Sequence, residues 1–166
     1  MARRDLYLYW QAHHRDGRAP CRADIDPPTQ IPRLAPNLMM FDIVDGYFRS
    51  RPIGSEITRR AGRDNTGQRL DPRILEERGI PAFVVLLQRA FDTREAILYS
   101  VERDSQSAFG ATGLLLPLSG PDGAIDMILG GLFYETSRIN QPHADWVREP
   151  SPNYPYPTCW RPNDPR

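Results

Sequence analysis

Residues 47–55 read YFRSRPIGS. Arg49 and Arg51 alternate with Phe48 and Ser50, so both guanidiniums share one face of a short strand, which Pro52, Gly54 and Ser55 bring to an end. Paired arginines can grip an anion, because the planar fork matches carboxylate and phosphate oxygens. They can equally be the solvated side of a half-buried strand, and they are so if helices cover the Phe48 face. If Arg51 turns inward it needs a partner, either Asp42 or Asp45 on the preceding strand or an anionic ligand.

Other residue types that do chemistry are sparse. Ser55 follows Gly54, but PIGSEI is not the G-x-S-x-G pattern of a nucleophile, and a Ser there is the expected N-cap of a helix. His13, His14 and His143 are the only histidines. A triad or metal site would have to recruit one of them from a terminal segment. Adjacent His13 and His14 point to different sides of a helix, one towards an interface and one towards solvent. Cys21 and Cys159 sit in no metal-ligand spacing and imply neither a disulfide framework nor a zinc site. The stretch from Gly62 to Gly67 is not a phosphate-cradling loop. No enzyme is expected from these residues.

The chain has 166 residues, about one domain by length, and its 21 basic residues, all Arg, balance 21 acidic ones. Zero net charge removes the main electrostatic argument for nucleic-acid binding. The start MARRDLYLYWQAHH is no secretory signal, and no window approaches the roughly 18 apolar residues that cross a bilayer. A cytoplasmic protein with no membrane insertion is expected.

Several elements must position these residues. In DLYLYWQAHHRD, Leu6, Tyr9, Trp10 and His13 fall at i, i+3, i+4 and i+7, which predicts an amphipathic helix ended by Gly17. Asp26-Pro27 fits the N-cap and first position of a short turn. NLMMFDIV predicts a buried strand, and Asp45-Gly46 a tight hairpin into YFRSRPI. SEITRRAG predicts a two-turn helix capped by Ser55 and ended by Gly62, followed by turn residues in RDNTGQRLDP. A short helix is expected over 71–78. A longer one over 81–92 carries Phe83, Leu87, Ala90 and Phe91 on a wide apolar face. Three strands follow: REAILYSVER, FGATGLLLPLS and AIDMILGGLFYET. In the last, Ile125, Met127 and Leu129 alternate with Asp126, Ile128 and Gly130. Gly130-Gly131 suggests a bulge or a close approach by other backbone. Residues 1–36 thus form an N-terminal helix and Pro-rich connection, 37–136 the core, and 137–166 a tail that holds seven of the 17 prolines among Trp146, Tyr154, Tyr156 and Trp160. Such a tail is either a linker or a segment docked on its own domain or on a partner.

The order ββ, short helices, one longer helix, βββ resembles a PAS domain, an α+β fold with a five-stranded antiparallel sheet and helices over one face. The matching pieces are Tyr9-Trp10, Pro20, Arg22, Asp24-Ile25-Asp26-Pro27, Arg51-x-x-Gly54, Gly62-x-Asp64-x-Thr66-Gly67 and Leu116-Pro117-Leu118. Their order is similar to that of a bacterial single-domain PAS family once classed as a domain of unknown function. Pro52 departs from the pattern, so the strand end there must be an edge or already leaving the sheet.

The resemblance implies a sensory or signalling module and favours Arg51 over Arg49, since the family pattern keeps an Arg there. It also raises the question of a cofactor. A covalent flavin needs a Cys, and a haem sensor a proximal His, in the middle helices. Residues 55–92 contain neither, so neither is expected and any cofactor is left unknown. A cavity between the long helix and the sheet would be lined by Phe83, Leu87, Met39, Phe41, Tyr99, Met127 and Leu129. These residues either fill one another's space or admit a small apolar ligand. With no kinase or cyclase sequence after the domain, output is expected through a signalling protein partner or a homodimer. In that dimer Leu6, Tyr9, Trp10 and His13 would pair with the same helix of a second subunit. The alternatives are a small enzyme using the same cavity, with Arg51 and Asp24 or Asp26 as polar groups, and a structural adaptor that binds through its aromatic tail.

Overall fold

The computed structural model describes residues 2–70, 82–101 and 110–134. In chain order, helix α1 (Ala2–Ala12) is followed by two 3-10 turns, Arg22–Asp24 and Pro32–Asn37, which flank the one-turn α2 (Pro27–Gln30). Strands β1 (Leu38–Val44) and β2 (Tyr47–Ser50) form the predicted hairpin. Asp45 and Gly46 at its tip both have positive φ, 49° and 79°, which matches the twist of the flanking strands. Then come α3 (Ser55–Ala61), β3 (Arg69–Leu70), α4 (Ala82–Thr93), β4 (Ile97–Val101), β5 (Ala111–Ser119) and β6 (Ile125–Tyr134). The helix expected over 71–78 and the tail from 137 lie outside the described residues.

One antiparallel sheet takes all six strands in the order β3-β2-β1-β6-β5-β4. Five were expected. The sixth, β3, comes from the stretch read as turn residues, and those turn residues deliver it. Gly62 and Gly67 take positive φ of 68° and 78°, and the Thr66 amide donates to Asp64 Oδ1 at 2.9 Å, an Asx turn. The chain then reverses onto β2, pairing Leu70 with Phe48. Ser55 also differs from expectation. Gly54 is the N-cap and Ser55 the first helical residue, with no side-chain capping bond.

Helices cover both faces of the sheet, not one. On the first face α3 and α4 bury Ile57, Leu86, Leu87 and Ala90 against Met39, Phe41, Phe48, Ile97, Tyr99 and Leu115. On the second, α1 and the segment after it bury Leu6, Trp10, Ile25 and Leu34 against Leu38, Leu114, Leu116, Leu118 and Leu129. Two buried faces explain why β5 is buried at every position, Ala111 to Ser119, as a continuous apolar run should be.

Gly130 and Gly131 sit back to back in the middle of this sandwich. A Cβ on Gly130 would lie 2.8 Å from Met39 Cγ, and one on Gly131 would lie 2.5 Å from Leu6 Cδ2. The glycine pair therefore lets one core press on the sheet from each side at adjacent residues.

β4 begins with Ile97, opposite Leu115. Beyond that point β5 is open on one side, and there it carries Pro117, which lacks a ladder donor. The N-terminal segment occupies the gap. Trp10 Nε1 donates to the Pro117 carbonyl at 2.9 Å, Ser119 N donates to Pro20 O at 2.8 Å, and Cys21 bridges Ser119 in parallel.

Candidate functional site

The two arginines of the opening stretch lie on the α1 face, one strand in from the β3 edge. Asp42 of β1 stands opposite Arg49 in the register. Its Oδ2 is 2.6 Å from Arg51 Nε and 3.5 Å from Arg49 Nη2. Both guanidiniums are about half exposed, while the Asp42 side chain is only 7% exposed. The two sequence alternatives therefore meet. Phe48 faces the α4 core, the arginines reach water, and both lean on the buried carboxylate.

A second carboxylate sits nearby. β6 carries one extra residue between the pairs Leu118–Met127 and Ser119–Ile125, which makes Asp126 a bulge. Asp126 Oδ2 lies 3.4 Å from Arg22 Nη1. Asp42 Oδ1 and Asp126 Oδ1 are both buried without a hydrogen-bond partner. Burial pushes the Asp126 carboxyl up, Arg22 opposes that, and the charges of Asp122 and Asp42 push it further. A carboxyl whose folded pKa lies above its unfolded value contributes stability at low pH and loses it as pH rises through the folded value. Asp126→Asn is therefore expected to be more stable relative to the parent chain at neutral pH than at about pH 4. Urea unfolding at the two pH values checks this, and a gap that widens on acidification would contradict it.

The bulge also corrects the expected cavity. Met39, Phe41, Phe83, Leu87 and Tyr99 do come together on the α4 face. Phe41 and Phe83 have ring centroids 5.5 Å apart, and Phe83 and Tyr99 5.9 Å, within the range of favourable ring contacts. Met127 and Leu129 lie on the opposite face, with the α1 core. The extra residue reverses the parity of β6, so Ile125 and Ile128 face α4 instead. The Tyr99 ring lies across Gly113 on the neighbouring strand, where a Cβ would come within 2.0 Å of its Cζ. Burial pushes the Tyr99 hydroxyl pKa up. These five residues fill one another's space, and their arrangement is that of a packed core.

The expected dimer residues are placed differently from one another. Leu6 and Trp10 are 0% and 5% exposed, committed to the chain's own sheet because that sheet has a second apolar face to cover. They are not offered to another subunit. Tyr9 and His13 are half-buried and stack with centroids 4.7 Å apart. The Tyr9 hydroxyl donates to Gln30 Oε1 and accepts from the Asp26 amide at 3.1 Å. His13 Nδ1 donates to Tyr9 O at 2.8 Å, and His14 Nδ1 to Trp10 O at 3.2 Å. Both imidazoles thus cap the last carbonyls of α1. Asp24 pairs with Arg15 at 3.5 Å. Arg51 pairs with Asp42, and Asp26 meets Tyr9 and Gln30 through its backbone amide.

The pieces that carried the family resemblance therefore do structural work. Trp10 and Pro20 close the open side of β5, Arg22 neutralises Asp126, Arg51 neutralises Asp42, and Gly62 to Gly67 turn the chain into β3. A family model described as a PAS domain matches residues 1–133. The chain belongs to the PAS domain family. The match includes α1 and the Pro-rich connection as well as the sheet. Among solved structures, this PAS domain is similar to a sensory box sensor histidine kinase from Vibrio cholerae, at 13% identity over 66% of this chain and 90% of that chain, with a TM-score of 0.47. No curated protein matches the sequence.

In the sequence Asp42 is one of two candidate partners of Arg51, and Asp126 is not legible as a buried charge. The signal for Asp42 was present, since a carboxylate inside NLMMFDIV faces a buried strand position and needs cations from its neighbour. Asp126 gave no such signal, because its burial follows from the bulge.

Proposed function

We propose that this PAS domain is a non-catalytic sensory module of the cytoplasm that signals by association, its output carried by how α1 seats on the sheet. The observation that supports this most is the sharing of one sheet by two cores, with Met39 over Gly130 on the α4 side and Leu6 over Gly131 on the α1 side. A close-packed layer of this kind transmits displacement. A partner or ligand that repacks the α4 face would therefore bias α1, which is held by a few contacts centred on Leu6 and Trp10. The placement of the polar groups supports a non-catalytic reading. His13 and His14 turn to α1's own carbonyls, and Asp42 and Asp126 are engaged by arginines. Among the described residues no helix is long and apolar enough to cross a membrane.

Native mass spectrometry of the full chain purified from its own host, followed by denaturation to release anything bound, tests the reading. A mass that retains a second protein chain and releases no small molecule is expected. A stoichiometric small molecule would replace association with ligand sensing, and an empty monomer at every concentration would contradict both.

A further inference from the structure

Among the described residues, an open groove of about 560 Å³ runs between α1 and the turn that enters β4. Tyr7, Trp10 and His14 supply one wall, and Arg94, Glu95 and Ala96 the other. Tyr7 and His14 are half-buried, and the buried Trp10 shows only an edge between them. Tyr7 and Trp10 have centroids 5.9 Å apart, and Trp10 and His14 meet edge to face at 4.1 Å. Neither the α4 core nor the arginine cluster contributes to this surface.

A shallow groove with rings along one wall is the shape that accepts a polyproline II segment, whose fixed ridges fit between aromatic side chains at little entropic cost. The chain itself contains a stretch whose proline spacing favours that conformation. Residues 150–157 read PSPNYPYP, with Pro150, Pro152, Pro155 and Pro157, and they lie outside the described residues. We propose that the groove is the docking site for this segment of the same chain.

Reach favours the intramolecular occupant. β6 ends at Tyr134, which pairs with Ala111, itself paired with Val101 of β4. Two strand spacings and the length of β4 with its entering turn separate Tyr134 from the groove by roughly 25 Å. Residues 135–149 span up to about 50 Å when extended, and a connection of that length gives an effective concentration on the order of millimolar. Arg148 and Glu149 precede the proline run, and Glu95 and Arg94 on the groove wall offer both signs of charge to meet them.

The test uses the full chain with Cys21→Ser, which leaves Cys159, two residues past the proline run, as the one thiol for a nitroxide label. Paramagnetic broadening of backbone amides is then read by NMR. The amides of Tyr7, Gln11, His14 and Ala96 are expected to lose most of their intensity, while those of Asp45, Gly46 and Leu87 keep theirs. Replacing Pro152, Pro155 and Pro157 together by Ala leaves the packed residues untouched and is expected to abolish the contrast. Uniform weak broadening, broadening centred on another surface, or a contrast that survives the proline replacements would overturn the proposal. So would broadening that appears only when labelled chains are mixed with separate isotope-enriched chains, since that places a second copy in the groove.

Discussion

Trp10→Ala is expected to cost about 3–5 kcal/mol of folding stability, which would leave a domain of ordinary stability close to unfolding at room temperature. Two effects combine. The indole is 5% exposed among Leu6, Leu38, Leu116 and Leu118, so truncation opens a cavity at the centre of the α1 core. The Pro117 carbonyl also loses its donor where β4 no longer runs alongside, and an orphaned buried acceptor accounts for roughly 1–3 kcal/mol of the total. Trp10→Phe keeps most of the volume and removes the donor, so it is expected to show the second effect on a chain that still folds. Urea unfolding of both variants measures the two. A loss below about 1 kcal/mol for Trp10→Ala would mean that α1 is an appendage and not part of the fold.

Gly54→Ala is the second large effect, and it arises from backbone alone. The φ of Gly54 is −58°, which any residue adopts, so conformational freedom is not the issue. Space is. A Cβ there would lie 2.3 Å from Pro36 O and 2.5 Å from Ala35 O. Gly54 N also donates to Leu38 O at 2.7 Å, and its carbonyl accepts the Thr58 amide. Neither backbone can yield without breaking one of these bonds or moving the 3-10 turn that leads into β1. The expected cost is at the top of the overpacking range, about 3 kcal/mol, read as a fall in Tm and in the urea midpoint. A change smaller than that of a surface substitution would contradict the close approach.

This contact shows why the Arg51-x-x-Gly54 spacing was legible before its purpose was. The stretch fixes β2 at one end through Asp42 and the start of α3 at the other through Pro36. The β1–β2 hairpin was legible for a similar reason: Asp45-Gly46 leaves little choice of turn, and NLMMFDIV little choice of partner. The second covered face was not legible. Leu6 and Trp10 announce an apolar stripe on α1, but a stripe does not say whether its partner is the chain's own sheet or another subunit. The clue lay elsewhere, in LLLPL, where both parities are apolar and a strand must therefore be buried on two sides. The faces of β6 differ from simple alternation because a single extra residue at Asp126 exchanges the faces of everything after it.

The central claim is that the sheet couples its two cores, and hydrogen exchange measures that coupling most directly. Met39→Ala empties the space over Gly130 on the α4 face and leaves every α1 side chain intact. Under conditions where exchange proceeds by local opening, the amides of α1 from Tyr7 to Ala12 are expected to exchange faster than in the parent chain, by a larger factor than those of β5. If acceleration is confined to β1 and α4 while α1 keeps its protection, the two faces are independent and α1 cannot report on what happens at the other side of the sheet.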